Sequence, residues 1–380
     1  MKINLGGIKT GIAIPLLATL IIGLSILCIF NYFSQVSLMN DEAEEAMTNT
    51  INATQTVIDA HLSLYQQMSA LIAGMPTVAE TMSKGDRPKL SSEFFQSFDF
   101  LRNQANLNQF NFIKPDGIVL LRLQDPNRYG DNLSDIRKTI SDVIEKKKGV
   151  RGIEFGRTGL GLRGIEPVFL KGVFVGSAEF GGDMIPAFNE VKNAFGTEIG
   201  LLVVQQATAQ VSKEWQRQGR PVGGYMPFYS TRPELSQAVL NDALLSKAKN
   251  AGKGVYMDLT RSGGREYSIA LSSLKDYSGK EIGFLYVLKD RTAIVGKIRK
   301  SLVINVAIYL LMLVLVSVVI GYTITKNVIN PVISLTSAAD DISMGKLADK
   351  VEIKGAKNEI AVLAKSIDRM RVSMKKLLME

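Results

Sequence analysis

Arg122 ends a run of Ile118, Val119, Leu120 and Leu121, a strand-like stretch in which a guanidinium must either reach solvent or face a polar cavity. Its planar fork of donors suits a carboxylate. Tyr129 and Asp131 follow within the same loop, and Arg163, Glu166 and Glu179 fall on the next strand-like runs. Together these six residues form the candidate set for binding a small charged molecule. A competing arrangement pairs Arg122 with Glu166 or Glu179 as an internal salt bridge, and the sequence leaves both open. Tyr225, Tyr229, Arg232 and Tyr256 form a second set, set aside because tyrosines are common in loops.

Other chemistry finds little support. The chain has one histidine, His61, within a helical pattern, and one cysteine, Cys28, within an apolar run, so a histidine metal site and an intrachain disulfide are excluded. The glycines at 159 and 161, and at 263 and 264, lack the strand-to-helix context with Lys-Ser/Thr that a phosphate loop needs, and read as turns. No catalytic residue, metal or cofactor is expected. The net charge of +9 is spread thinly, with only a short lysine run at 146–148, which argues against nucleic acid.

Several elements must position these groups. Residues 12–33 are apolar and about 30 Å long as a helix, the thickness of a bilayer core; 302–325 is a second uncharged span. Lys2 and Lys9 place the N-terminus inside, so that both termini are cytoplasmic and the intervening region lies outside. From 34 to 74 a heptad pattern with small residues predicts a long helix, extended about 60 Å and suited to a two-chain contact. Beyond it the periodicity turns to that of strands. Runs at 108–114 and 118–123 flank Pro115-Asp116-Gly117, a hairpin signal. A helix at 132–148 and strands at 151–157, 160–170 and 173–181 follow. The order recurs as a strand at 198–205, a helix at 233–250 and strands at 254–261, 266–273 and 281–289. Hairpin, helix and three antiparallel strands is a PAS-like order, here present twice.

Past the second span, Val332, Leu335, Ala339 and Ile342 are spaced three, four, three, and Ile360, Leu363, Ile367 and Met370 continue the seam on a second helix. Gly345 ends the first helix, and the stretch to Asn358, through Leu347, Val351, Ile353 and Gly355, is long enough to run back so that the two helices lie parallel.

Pro331, the Gly345-Lys346-Leu347 step and the Asn358-Glu359-Ile360 start of the second helix resemble a HAMP domain, the signal relay of transmembrane receptors; the family usually carries Asp where this chain has Asn358. Leu121-Arg122-Leu123, Asp125-Pro126, Tyr129-Gly130-Asp131 and the 159–164 segment resemble a double Cache sensor, in a subgroup that often has His where this chain has Gln124. These resemblances imply an α+β, two-pass receptor of the chemoreceptor and sensor-kinase type in the inner membrane. Its expected parts are a cytoplasmic N-terminus at 1–11, a dimerisation helix at 34–76, a membrane-distal module at 77–196, a proximal module at 197–291 and a HAMP domain at 326–378 that forms a parallel four-helix bundle as a homodimer. Signal relay is assigned to Pro331, the two seams and Glu359. The chain stops at Glu380, and the expected output is a separate signalling protein contacted near 373–380; a truncated receptor, or a ligand-free assembly protein, is the alternative.

Overall fold

The computed structural model describes residues 6–156, 159–205, 220–252, 254–352 and 359–377. Arg157 of the third predicted strand, and Ile353, Gly355, Asn358, Leu378 and Glu380 of the relay region, lie outside the described residues. Contacts divide the chain into two units, residues 39–295 and residues 1–38 with 296–380.

The sensor unit is built on two five-stranded antiparallel sheets of identical order. Helix α1 (Gly6–Ala73) has no proline or glycine in its segment within this unit, and α2 (Pro76–Ser83) and α3 (Arg87–Gln104) follow it. Asp86 starts α3 by accepting from the Lys89 amide at 3.1 Å. The first sheet comprises β1 (Leu107–Ile113), β2 (Val119–Arg122), β3 (Val150–Gly156), β4 (Gly159–Leu170) and β5 (Val173–Gly182), ordered β2-β1-β5-β4-β3, with α4 (Lys138–Lys146) between β2 and β3. After α5 (Ile185–Phe195), the second sheet is ordered β7-β6-β10-β9-β8, from β6 (Glu198–Val204), β7 (Tyr225–Ser230), β8 (Val255–Ser262), β9 (Arg265–Lys275) and β10 (Glu281–Asp290).

Three expectations are corrected. The helix expected at 132–148 shrinks to Lys138–Lys146, because Asn132 pairs with Ile118 across the sheet edge and its Oδ1 accepts from both the amide and hydroxyl of Ser134. The helix expected at 233–250 is two, α6 (Pro233–Val239) and α7 (Asp242–Asn250): Leu240 is extended, and Asn241 caps α7 by accepting from the Leu244 amide. Strand β7 was not foreseen, since its Pro227 and two tyrosines read as loop; it occupies the place in the second sheet that β2 holds in the first.

One face of the first sheet packs on helices. Phe110 and Phe180 stack with ring centroids 4.0 Å apart, and Phe94 of α3 meets Phe110 edge-on. Helix α1 crosses this face at Gly164, where Ser69 donates to the Gly164 carbonyl at 2.7 Å and accepts from the Phe180 amide at 3.1 Å. A Cβ on Gly164 would lie 2.2 Å from the Gln66 backbone nitrogen. Gly164→Ala is therefore expected to push α1 off the sheet and cost at least about 2 kcal/mol, read as a lower urea midpoint; an unchanged midpoint would show that the contact is not tight.

In the other unit, α8 (Thr292–Ile324) is the second helix long and apolar enough to cross a membrane, α1 being the first. Proline at 331 does not break the helix before it. Instead a π-helical segment (Thr325–Ile329) intervenes, and the Asn330 amide bonds to the Thr325 carbonyl, five residues back. That one-residue slip relieves the clash a proline ring makes with the preceding turn, and α9 (Asn330–Ser343) continues. Gly345, at φ +83, ends α9, as expected. The Arg371 guanidinium of α10 (Glu359–Leu377) donates to the Leu347 carbonyl, and the Val351 amide donates to Asp368. As the connector advances from 347 to 351 its partners fall from 371 to 368, so it runs antiparallel to α10. Leu335 and Ile342 are buried within one chain, whereas Leu363 and Met370 stay about half exposed.

A polar cavity over the first sheet

Strand alternation sends every second residue of the first sheet to its other face, and there the register builds two polar rows. One runs Arg122, Asn111, Glu179, Ile165 and Val150; the next runs Gln109, Gly181, Arg163 and Gly152. They floor a cavity of about 370 Å³ whose lining also includes Asn108, Gln124, Asp125, Arg128, Arg137 and Asp183. Below it Ile113, Val119 and Ile165 pack on Leu133 and on Ile140 and Val143 of α4, which fixes that helix against the floor.

Charge on the floor is arranged around Arg137, which directly precedes α4. Its Nε donates to Glu154 at 2.9 Å and its Nη2 to Glu179 at 2.5 Å, while the Thr139 amide and hydroxyl donate to Glu154. Glu179 is fully buried. Burial alone would raise its carboxyl, but Arg137, Arg163 and hydrogen bonds from Arg137 and Asn111 hold it below the usual range. Burial lowers the Arg137 pKa, yet the two glutamates outweigh that effect and raise it.

Arg163 has the opposite balance. Its side chain is 3% exposed and lies over bare glycine: a Cβ on Gly161 or Gly181 would strike the guanidinium at 2.9 or 2.4 Å. Nη1 donates to Gln109 at 2.5 Å, but Nε, 3.9 Å from Glu179, has no hydrogen-bond partner. Burial, and next the charge of Arg137, push this guanidinium down to about 10. Both carboxylates of the floor hydrogen-bond to Arg137, so Arg163 meets Glu179 only at 3.9 Å and has no carboxylate within hydrogen-bond distance.

The six residues singled out in the sequence separate into groups. Arg122 and Asp131 come together as a bidentate pair at 2.6 and 2.9 Å, with a further bond from Arg122 to the Arg128 carbonyl. The expected salt-bridge partners of Arg122, Glu166 and Glu179, are replaced by Asp131, because both arms of the fork are taken up in clamping the 125–131 loop. Arg163 and Glu179 meet on the floor. Tyr129 is 54% exposed on the outside of the loop, beneath the Arg87 guanidinium at 3.2 Å, and does not line the cavity. Glu166, three residues after Arg163, faces the helices and accepts from Gln66 of α1 at 2.9 Å. Glu166→Gln is therefore expected to leave any ligand-induced stabilisation of the chain unchanged, measured as the rise in melting temperature; a lost rise would place the ligand on the helical face.

Sequence reasoning missed Arg137, Glu154, Gln109 and Asn111. Counting in twos from Arg122 and Glu179 across the hairpins would have found the last three; Arg137 carried no such signal, lying in a stretch that reads as helix. In the second module Tyr229 lines a separate cavity of about 330 Å³ with Pro233, Ser236 and Tyr286, whereas Tyr225 and Tyr256 bond to Glu281 and Asp258 outside it.

Residues 40–294 match the family described as the double sensory domain of two-component sensor kinases, and residues 323–376 match the HAMP domain. Both are sensory and signalling families. Among solved structures, the sensory domain of the Campylobacter jejuni chemoreceptor Tlp3 with isoleucine bound is 13% identical, with a TM-score of 0.43 over 68% of this chain and 96% of that one. The periplasmic domain of Vibrio cholerae LuxQ is 15% identical, with a TM-score of 0.41 over 64% and 98%. The sensor domain of the V. cholerae histidine kinase DctB is 13% identical, with a TM-score of 0.40 over 68% and 98%. No curated protein sequence matches the chain.

Proposed function

This chain belongs to the family of double sensory domains of two-component sensor kinases, continued by a HAMP domain, and from that premise we propose that its first module binds a small hydrophilic anion and that the bundle passes the change to a separate signalling protein. A transmembrane sensing and relay receptor is the function that this architecture supports, with two candidate membrane helices flanking the sensor. The observation that carries the ligand assignment is Arg163: a buried guanidinium, one nitrogen unpartnered, on the floor of a cavity most of whose lining residues are polar. An oxyanion of the ligand pairs with the part of the guanidinium that lines the cavity, beside the side chains of Gln109, Gln124 and Asn108.

The spans are 12–33 and 302–325 with both termini cytoplasmic, and the modules are 77–196 and 197–291. A second copy covers Leu363 and Met370, whose exposure within one chain leaves part of the second seam open. The relay repacks Val332, Leu335, Ala339 and Ile342 against Ile360, Leu363, Ile367 and Met370, as bistable bundles do when the preceding helix shifts by about 1–2 Å.

Thermal unfolding of the full chain in lipid nanodiscs, against small carboxylates, inorganic oxyanions, neutral polyols and amines, tests the reading. At a hundredfold excess over its dissociation constant a ligand adds about 2.7 kcal/mol. Some anions are expected to raise the melting temperature and the neutral solutes and amines to leave it unmoved. No response to any anion, or an equal response to polyols, would overturn it.

A further inference from the structure

The first sheet does not complete its own floor. Gly152 ends the row that contains Arg163, and the space where its side chain would stand is filled from the other module: a Cβ there would lie 2.8 Å from two atoms of Tyr277. Tyr277 sits in the tight turn between β9 and β10, formed by Asp276, whose Oδ1 accepts from the Ser278 and Lys280 amides, with Gly279 at φ +83. The turn is docked by its backbone as well, since the Tyr277 amide donates to the Ile153 carbonyl at 2.8 Å. Beyond the ring, the Tyr277 hydroxyl donates to Asp142 of α4 at 2.9 Å. Asp142 is itself buried, and Lys138 and Lys146 hold its two oxygens from the same helix.

Two routes thus converge on one side chain. Arg163 reaches Tyr277 through its cross-strand partner Gly152. Arg137, Thr139 and Glu154 reach it through α4, whose N-terminal turn grips the floor and whose next turn carries Asp142. On the far side, Tyr277 is four residues from the start of β10, the strand that leads into α8.

We propose that Tyr277 is a positioning residue of the first module's cavity: it holds α4 over the floor and hands any shift of that floor to β10. The inference rests on the cavity being the ligand site, but it can be tested without a ligand. Burial, followed by the bond to Asp142 and its charge, raises the tyrosine hydroxyl to about 12, and burial of Asp142 is outweighed by the Lys138, Lys146 and Tyr277 bonds that bring its carboxyl down to about 2, so the donor and acceptor keep these roles across the physiological range.

Amide hydrogen exchange on the full chain in nanodiscs is the measurement, with Tyr277→Phe keeping the ring on Gly152 and removing only the hydroxyl. Exchange in Lys138–Lys146 is expected to quicken about tenfold, the scale of one bond to a charged group, while β3 stays protected; Asp142→Asn serves as an independent second variant with the same expected effect. The deciding arm is a double-mutant cycle. Arg163→Met is expected to change exchange in the 276–280 turn of the otherwise native chain and to leave it unchanged in a Tyr277→Ala background, where the ring on Gly152 is gone as well as the hydroxyl. An equal change in both backgrounds, or none in either, would overturn the proposal. Failure of the ligand reading would appear separately, as the absence of any anion-induced stabilisation in the native chain.

Discussion

Replacing Arg137 by methionine is expected to destabilise the sensor by about 3–5 kcal/mol, the largest effect of any single change on the cavity floor, because it removes one partner of a buried charge network. Glu154 and Glu179 would remain inside, at 6% and 0% exposure, with their principal cation gone. Urea unfolding followed by circular dichroism reads the loss directly. Its pH dependence carries a sign. In the native chain the folded-state pKa of Glu179 lies below its unfolded value, so the stability it contributes is complete above the ordinary glutamate pKa of about 4.3 and is lost as pH falls through the lower folded value. In Arg137→Met burial is no longer opposed by that guanidinium, the carboxyl moves up, and protonation relieves the penalty. The gap between native and variant is therefore expected to be widest at neutral pH and to narrow on acidification. A gap independent of pH would mean that lost packing, not unpaired carboxylates, causes the destabilisation.

Arg163→Met is expected to act in the opposite sense on stability and more severely on function. An arginine driven down to about 10 by burial and by a neighbouring arginine is a charge that folding alone does not satisfy. Substituting an apolar chain of similar length is expected to be neutral or mildly stabilising, because Glu179 keeps Arg137 as its hydrogen-bonded cation and the glycine track leaves room for an unbranched side chain. The same change removes the one floor cation that, among the described residues, has a fully buried nitrogen without a hydrogen-bond partner. Anion-induced stabilisation should vanish, with binding weakened by about 2–5 kcal/mol, the range for truncating one side of a buried charge pair. Stability and response are thus predicted to separate in one variant, which simple unfolding could not produce. A variant less stable than the native chain would show that Arg163 is adequately paired without a ligand.

How far these features could be read in advance depended on which physical signal carried them. Turns and alternation made most of both sheets legible: Pro115-Asp116-Gly117 set the β1–β2 hairpin, Ser262-Gly263-Gly264 the β8–β9 turn of the second module, and the repeated order of elements matched the identical strand order. The same alternation also contained an unread answer about the site. Arg163 and Glu166 are three residues apart on one strand and so cannot share a face, whereas Arg163 and Glu179 share one by register. Arg137 was hidden for another reason. Its stretch has the composition of a helix, and only a turn closed by the Asn132 side chain reveals that α4 starts six residues later, turning Arg137 from a helix-surface residue into the hub of the floor. Arg122 illustrates a third limit: its isolation among apolar residues rightly marked it as unusual, but the sequence could not say that Asp131, nine residues on, uses both arms of its fork. After the second span the chain meets Pro331 with a π-helical slip in place of a break, which the sequence did not reveal.

Every other part of the proposed function depends on a small anion binding at Arg163. Calorimetric titration of the full chain in nanodiscs, using the anion that most raises the melting temperature, tests it with native protein and Arg163→Met side by side. One site per chain in the native protein and at least about a thirtyfold weaker affinity in the variant, in line with the loss of a buried charged partner, is the predicted result. Equal affinity in the two proteins would contradict it.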